Sequence, residues 1–157
     1  MEFLVAYGHW VPTLFAATIF IQSLRHKFLR SGETIYIFEE KLDQWAGTFG
    51  LKGLFAPGGL FSAVHIGVAE LVASLLLIVG ALNPALYVVQ GAGALLGLAI
   101  ITGAIFFHLF TPLGVVIKRS DGTGDGGALF AFAVGVWISC AALVLLRLDV
   151  LLAFLGF

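Results

Sequence analysis

The sequence predicts an all-α fold class: a bundle of four transmembrane helices with an amphipathic interfacial helix between helices one and two. Hydrophobic residues make up 61% of the 157 residues and charged residues only 11%. Soluble domains are about 45–50% apolar and about 25% charged, so this chain has too few polar side chains to cover a surface that faces water on all sides. The length allows a single domain, residues 1–157.

Four stretches almost free of charge give the predicted spans. They cover residues 3–24, 60–82, 85–110 and 128–146. Each is long enough to cross a hydrocarbon core of about 30 Å. Because backbone amides in lipid must be paired internally, we expect every span to be an α-helix.

The connections between the spans differ in length and character. Asn83-Pro84 is a short link, which makes the second and third spans antiparallel neighbours. Loop one, residues 25–59, is long, and apolar residues recur in it at helical spacing: Ile35, Phe38, Leu42 and Trp45. This pattern predicts an amphipathic helix that lies in the lipid headgroup region or caps the end of the bundle. The tail from Asp149 to Phe157 is too short to span and is expected along the interface.

The basic residues predict the orientation in the membrane. Loop one carries five of them, and loop three (residues 111–127) carries Lys118 and Arg119. The opposite side carries only Arg147. Cytoplasmic loops are enriched in Lys and Arg, so loops one and three are expected in the cytoplasm and both termini outside.

Charge and cysteine content exclude several classes of function. The net charge of −1 argues against a nucleic-acid partner, since the phosphate backbone is bound mainly by clustered Lys and Arg. The single cysteine, Cys140, excludes an internal disulfide, a cysteine-rich zinc site and a cysteine-ligated iron–sulfur cluster. No metal site is predicted, and the glycines at 122–127 lack the strand and helix of a nucleotide-binding loop.

Glu70 is the one formally charged residue inside the predicted spans. A charge at mid-bilayer costs about 2.5–3.5 kcal/mol on insertion scales, so such residues are usually functional or paired. Small residues on the same stripe, Gly67 and Ser74, indicate that Glu70 faces the other helices. It is a candidate catalytic proton exchanger; the alternative is a protonated side chain that donates a hydrogen bond to a carbonyl.

Two histidines lie near the ends of spans on the side of loops one and three. His108 closes a small-residue face that contains Gly93 and Gly97, and His65 lies about one turn inside the second span. Either they meet in a pocket or each is a satisfied core residue.

Basic residues near this end add to the candidate site. Arg25 and Lys27 end the first span on the same side and would complete a polar pocket, unless they only reach out to the interface. His9 lies at the other side, where an aromatic-belt position is expected.

Several motifs point to a known family. A first span ends in the basic "RHKF"; "GVAELVASLLLIVG" and "GALLGLAIITGAIFFHLFTPLG" follow, and "DGGALFAFAVGVW" opens the fourth span. From about Leu14 to Leu146 the chain resembles the DoxX-like family of small four-helix integral membrane proteins. The resemblance implies a bacterial inner-membrane protein with membrane lipids and a larger membrane protein complex as partners.

Some members of that family are subunits of quinone-linked oxidoreductases, which suggests a subunit role in electron transfer rather than a stand-alone enzyme. In this hypothesis Glu70, His65 and His108 exchange protons, while Arg25, Lys27 and the two histidines hold a quinone head group. The alternative is a non-catalytic accessory subunit that stabilises a larger assembly. A third hypothesis, haem b between His65 and His108, is not suggested by the resemblance.

Overall fold

The computed structural model describes residues 7–117 and 123–156. Their regular structure is helical throughout, which confirms the predicted all-α class for this part of the chain. Four long helices are α1 (Trp10–Phe28), α4 (Ala63–Ala81), α5 (Tyr87–Phe110) and α6 (Ala128–Leu146). The shorter elements are α2 (Gly32–Ile35), a π-helix (Tyr36–Asp43), α3 (Gln44–Gly47), a 3₁₀ turn (Pro84–Leu86) and α7 (Leu148–Leu155).

The four long helices pack as a bundle. The main contacts run around a ring, from α1 to α4, to α5, to α6 and back to α1. Their shared core contains Phe20, Leu77, Val136 and Leu143, all almost fully buried. Helices α4 and α5 approach closely at Gly93, which has no side chain. A Cβ atom at this position would lie only 2.8 Å from the backbone nitrogen of Leu77. This close approach is typical of the small-residue faces by which membrane helices pack.

Three helices of the described chain are long and apolar enough to cross a membrane: Ala63–Ala81, Pro84–Phe110 and Ala128–Leu146. Their outward faces carry large exposed apolar side chains such as Val68, Val72 and Ile138. These features are those of an integral membrane protein. Helix α1 is not among the three, because its last turn carries Arg25, His26 and Lys27.

The helix boundaries agree closely with three of the four predicted spans and differ at the first. That span was predicted over residues 3–24, of which 1–6 lie outside the described residues. Helix α1 begins at Trp10 and continues through the basic residues to Phe28. Cations interact favourably with the negative end of the helix dipole, which stabilises this extra turn.

Loop one folds back over one end of the bundle. Leu42, Ala46 and Phe55 of loop one are buried against Leu113 and Ile117 of loop three. The carboxylate of Asp43 accepts hydrogen bonds from the backbone N–H groups of Gly53 (2.8 Å) and Phe55 (3.0 Å), which holds the rest of the loop in place. Loop one therefore packs as a cap on this end of the bundle.

Candidate functional site

A cavity of about 750 Å³ lies inside the capped end of the bundle. Small-molecule sites typically have volumes of about 300–1,000 Å³. All four long helices and loop one contribute to its walls. Along α5 the lining extends from Ala99 to His108, a depth of about 13 Å at the helical rise per residue. The polar side chains in the walls are Gln22, Ser23, His26, Lys27, His65, Glu70 and His108.

Apolar groups make up the rest of the lining. They include Phe20 from α1, Ile100 and Ala104 from α5 and Phe132 from α6. The polar groups lie toward the helix ends at the cap, while the deepest positions on α1, α5 and α6 are apolar. The cavity therefore suits a ligand with a polar head and an apolar body.

The deepest charged group, Glu70, forms an ion pair with Lys27. The Lys27 Nζ lies 2.7 Å from Oε1 and 2.6 Å from Oε2 of Glu70. The Ser23 hydroxyl donates to Oε2 at 2.5 Å, and Lys27 also donates to the Ser23 Oγ at 3.0 Å. Only 14% of the Lys27 side chain and 7% of the Glu70 side chain are exposed. The buried charge is thus met by a cation and a hydroxyl, not by a carbonyl.

The direction of α1 explains how Lys27 reaches this partner. Helical side chains point back toward the N-terminus of their helix, so a lysine in the last turn of α1 reaches into the bundle. Gly67 on α4 leaves room for that turn, since a side chain there would meet the Phe28 ring at 2.9 Å. Ser23 lies one turn before Lys27 on the same face of α1.

The Lys27 pairing changes the part expected of this residue. An ammonium group has three N–H donors, and here they contact the two carboxylate oxygens and the Ser23 Oγ. Lys27 is therefore the counter-ion of Glu70 in this structure. Arg25, the other basic residue expected in the pocket, is exposed and lies outside the cavity lining.

His108 and His65 line the same cavity from two different helices. His108 is 8% exposed; its Nδ1 lies 2.7 Å from the Gly114 carbonyl, and its ring packs edge-on against Phe130. His65 is exposed, with Nδ1 2.7 Å from the Gly59 carbonyl. Each ring is thus held by the loop next to its own helix and not by a hydrogen bond to the other ring.

Asp125 closes the loop that lies beside His108. Its carboxylate accepts hydrogen bonds from the backbone N–H groups of Ile117 (2.8 Å), Gly127 (3.0 Å) and Leu129 (3.0 Å). Burial alone would raise the pKa of the Asp125 carboxyl, but these three donors and the nearby His108 hold that pKa below its usual range. Lys118 and Arg119, the two basic residues of loop three, lie outside the described residues.

Sequence reasoning missed a second polar network at the opposite end. Gln90 is fully buried, donates to the Thr13 hydroxyl (2.8 Å) and accepts from the Arg147 Nε (2.7 Å). The Arg147 guanidinium lies 3.4 Å from the centre of the Tyr87 ring. A glutamine within an apolar span was the available signal. His9, expected in an aromatic belt, is instead buried beside Tyr87 at 6% exposure.

Ser23 and Gln22 of the cavity were also missed. Neither side chain carries a formal charge. The only feature of the sequence that places them near the cavity is their spacing from Lys27 along α1. Among the residues that the structure describes, no group of three His, Cys, Asp or Glu side chains is arranged to hold a metal ion.

Comparisons of this chain with protein families, with curated proteins and with solved structures find no match.

Proposed function

We propose that the chain is a DoxX-like integral membrane subunit of a quinone-linked redox complex, and that its cavity binds the quinone head group. One observation carries the proposal: a largely apolar cavity of about 750 Å³ has the Lys27–Glu70 ion pair, His65 and His108 in its walls. The apolar ring and tail of a quinone fit the deep apolar walls of the cavity, and the oxygens of its head group fit the polar end.

The site also has groups that can exchange protons with such a ligand. Quinone and hydroquinone differ by protons as well as electrons, and histidine is the side chain that most readily exchanges protons near neutral pH. Both histidines lie toward the capped end, with Glu70 deeper on α4. In the complex, this chain would bind and orient the head group and exchange its protons, while a partner subunit would exchange its electrons.

The proposal includes a fourth span and an orientation. Helix α1 closes the ring formed with the three apolar helices, and its basic last turn lies at the cap. We place α1 in the membrane as the fourth span, with loops one and three on the cytoplasmic side of a bacterial inner membrane. The cavity would then lie in the cytoplasmic half of the bilayer.

Ligand binding by the purified chain in lipid nanodiscs tests this function. Titration with decylubiquinone and with decylubiquinol should show saturable binding of at least one of them. The double variant Glu70→Gln/His108→Ala should weaken that binding about tenfold or more, since it removes the charge of Glu70 and the ring of His108, and hydrogen bonds to charged groups are worth about 1.5–3 kcal/mol. The control Glu39→Gln changes a carboxylate in the exposed Arg30–Glu39 pair and should leave binding unchanged. Absence of binding in the wild type, or full binding in the double variant, would contradict the proposal.

A second candidate is the non-catalytic accessory subunit. The observation in its favour is that the Glu70 charge is already met within the chain by Lys27 and Ser23, as in a structural ion pair. This candidate predicts copurification with a large membrane complex that keeps its full activity when His65 and His108 are both replaced.

A further inference from the structure

The hydrogen-bond donors around Glu70 are used within the protein. Lys27 directs its three N–H groups at the two oxygens of Glu70 and at the Ser23 Oγ. Ser23 has a single O–H, and it lies within hydrogen-bonding distance of Glu70 Oε2 and of the Phe20 carbonyl. A carboxylate only accepts hydrogen bonds. The ion pair therefore has no donor left for a ligand, while Oε1 of Glu70 keeps unused acceptor capacity.

The two histidines, like Glu70, offer hydrogen-bond acceptors to a ligand. A carbonyl oxygen can only accept, so the Nδ1 of His108 must carry the proton that it donates to Gly114, and the Nδ1 of His65 the proton that it donates to Gly59. In the neutral ring this leaves Nε2 as an acceptor. Neither Nε2 has a hydrogen-bond partner within the described part of the chain.

The remaining polar lining lies at the exposed mouth. Gln22 and His26 are both exposed on α1, so water can satisfy their donors and acceptors. The inner polar surface is thus formed by Oε1 of Glu70 and the Nε2 of the buried His108, both of them acceptors, and the Nε2 of His65 adds a third acceptor at the exposed mouth.

We infer that the cavity selects a head group that brings its own hydrogen-bond donors, so that the hydroxyl-bearing hydroquinone binds in preference to the quinone. This inference rests on the proposed function, since it names the oxidation state of the same ligand. A quinone head group presents carbonyl oxygens, which are also acceptors, so it could form no hydrogen bond with these acceptor groups of the cavity. A hydroquinone presents O–H groups that the His108 Nε2, the His65 Nε2 or Glu70 can accept.

The test compares three probes of nearly the same shape with the wild-type chain in nanodiscs. Decylubiquinol should bind at least about tenfold more tightly than decylubiquinone. The reason is that a buried polar group left without a partner costs about as much as a lost hydrogen bond. The dimethyl ether of decylubiquinol, which has no O–H, should bind as weakly as the quinone. Equal or tighter binding of the quinone or of the ether would overturn the inference while leaving the proposed function intact. If none of the three binds, the proposed function fails and the inference with it.

A protein variant separates the acceptor role from general damage to the site. His108→Phe keeps a ring of similar size but removes Nε2, and it should weaken quinol binding about tenfold with little effect on quinone binding. His65→Phe changes an exposed residue and serves as a second variant if His108→Phe fails to fold by its thermal transition. His9→Phe, at the opposite end, is the matched control and should alter neither probe. An equal loss for quinol and quinone in both cavity variants would contradict the acceptor role.

Discussion

At the residue scale, the pairing of Glu70 with Lys27 explains how a carboxylate is tolerated among apolar helices. An isolated charge in such a place is costly, and the cost falls when a partner and hydrogen bonds meet it. Here the partner belongs to the neighbouring helix, so the pair also links α1 to α4.

Removing one member of the pair should therefore destabilise the protein more than removing both. Lys27→Met leaves the Glu70 charge uncompensated and is expected to lower the free energy of unfolding by about 3 kcal/mol. Adding Glu70→Gln to that variant should restore most of the loss. Denaturant unfolding in mixed micelles measures both effects.

The exposed Arg30–Glu39 pair supplies a control, because 51% and 29% of these side chains are exposed. Arg30→Met should cost less than about 1 kcal/mol, as is usual for surface pairs. If Lys27→Met costs no more than Arg30→Met, the buried pair does not have the stabilising role assigned to it.

The sequence predicts the position of a polar residue when the pattern that indicates it lies on the same helix, and it does not predict a partner on another helix. The inward position of Glu70 follows from the stripe of small residues on its own helix. The pairing with Lys27 does not, because it depends on which helices are neighbours and on the direction of a long side chain. The same holds for Gln90, whose partners Thr13 and Arg147 lie on two other segments.

At the scale of the elements, α6 begins with a cap supplied by Asp125. The first N–H groups of a helix have no partner within it, and here the carboxylate of Asp125 accepts from Gly127 and Leu129. The same carboxylate binds Ile117, so it also fixes the end of the loop that packs against the loop-one cap.

Replacing Asp125 should destabilise the protein in a pH-dependent way. Asp125→Ala is expected to lower stability by about 1–2 kcal/mol at neutral pH, the usual cost of a lost helix cap. Because the folded protein holds the pKa of Asp125 below its usual range, this contribution is present above the unfolded carboxyl pKa and is lost as the pH falls through the folded value. The stability difference between wild type and variant should shrink in acid, as measured by thermal unfolding from pH 7 downward. A difference that does not change with pH would contradict this account.

The elements of the bundle were predicted more completely than those of the connections. Long charge-free stretches gave three of the helices with nearly correct ends, since such a stretch in lipid has few conformational choices. The apolar spacing in loop one indicated a helix, but the surface that it covers comes from Leu113 and Ile117, far away in the sequence. Periodicity shows which face of a helix is buried, not what buries it.

At the scale of the whole molecule, the ring of four helices has a cavity at one end and a core of buried side chains such as Leu77, Val136 and Leu143. Near the middle of the bundle, Gly97 is close to Cys140 and Phe20, where a side chain would meet their atoms at 3.0 and 3.1 Å. Six residues further along α5, Gly103 lines the cavity, and a Cβ atom there would meet nothing within 4 Å. At these two positions of α5, the open space thus lies toward the end that carries the polar groups of the cavity.

This difference gives the most direct measurement of the central claim, that the cavity is a ligand site. Gly103→Leu adds a side chain to the open space and, because leucine favours the helix more than glycine does, should fold with unchanged or higher thermal stability. In nanodisc titrations with decylubiquinol and decylubiquinone, this variant should lose the binding shown by the wild-type chain. Undiminished binding to a folded Gly103→Leu protein would contradict the central claim.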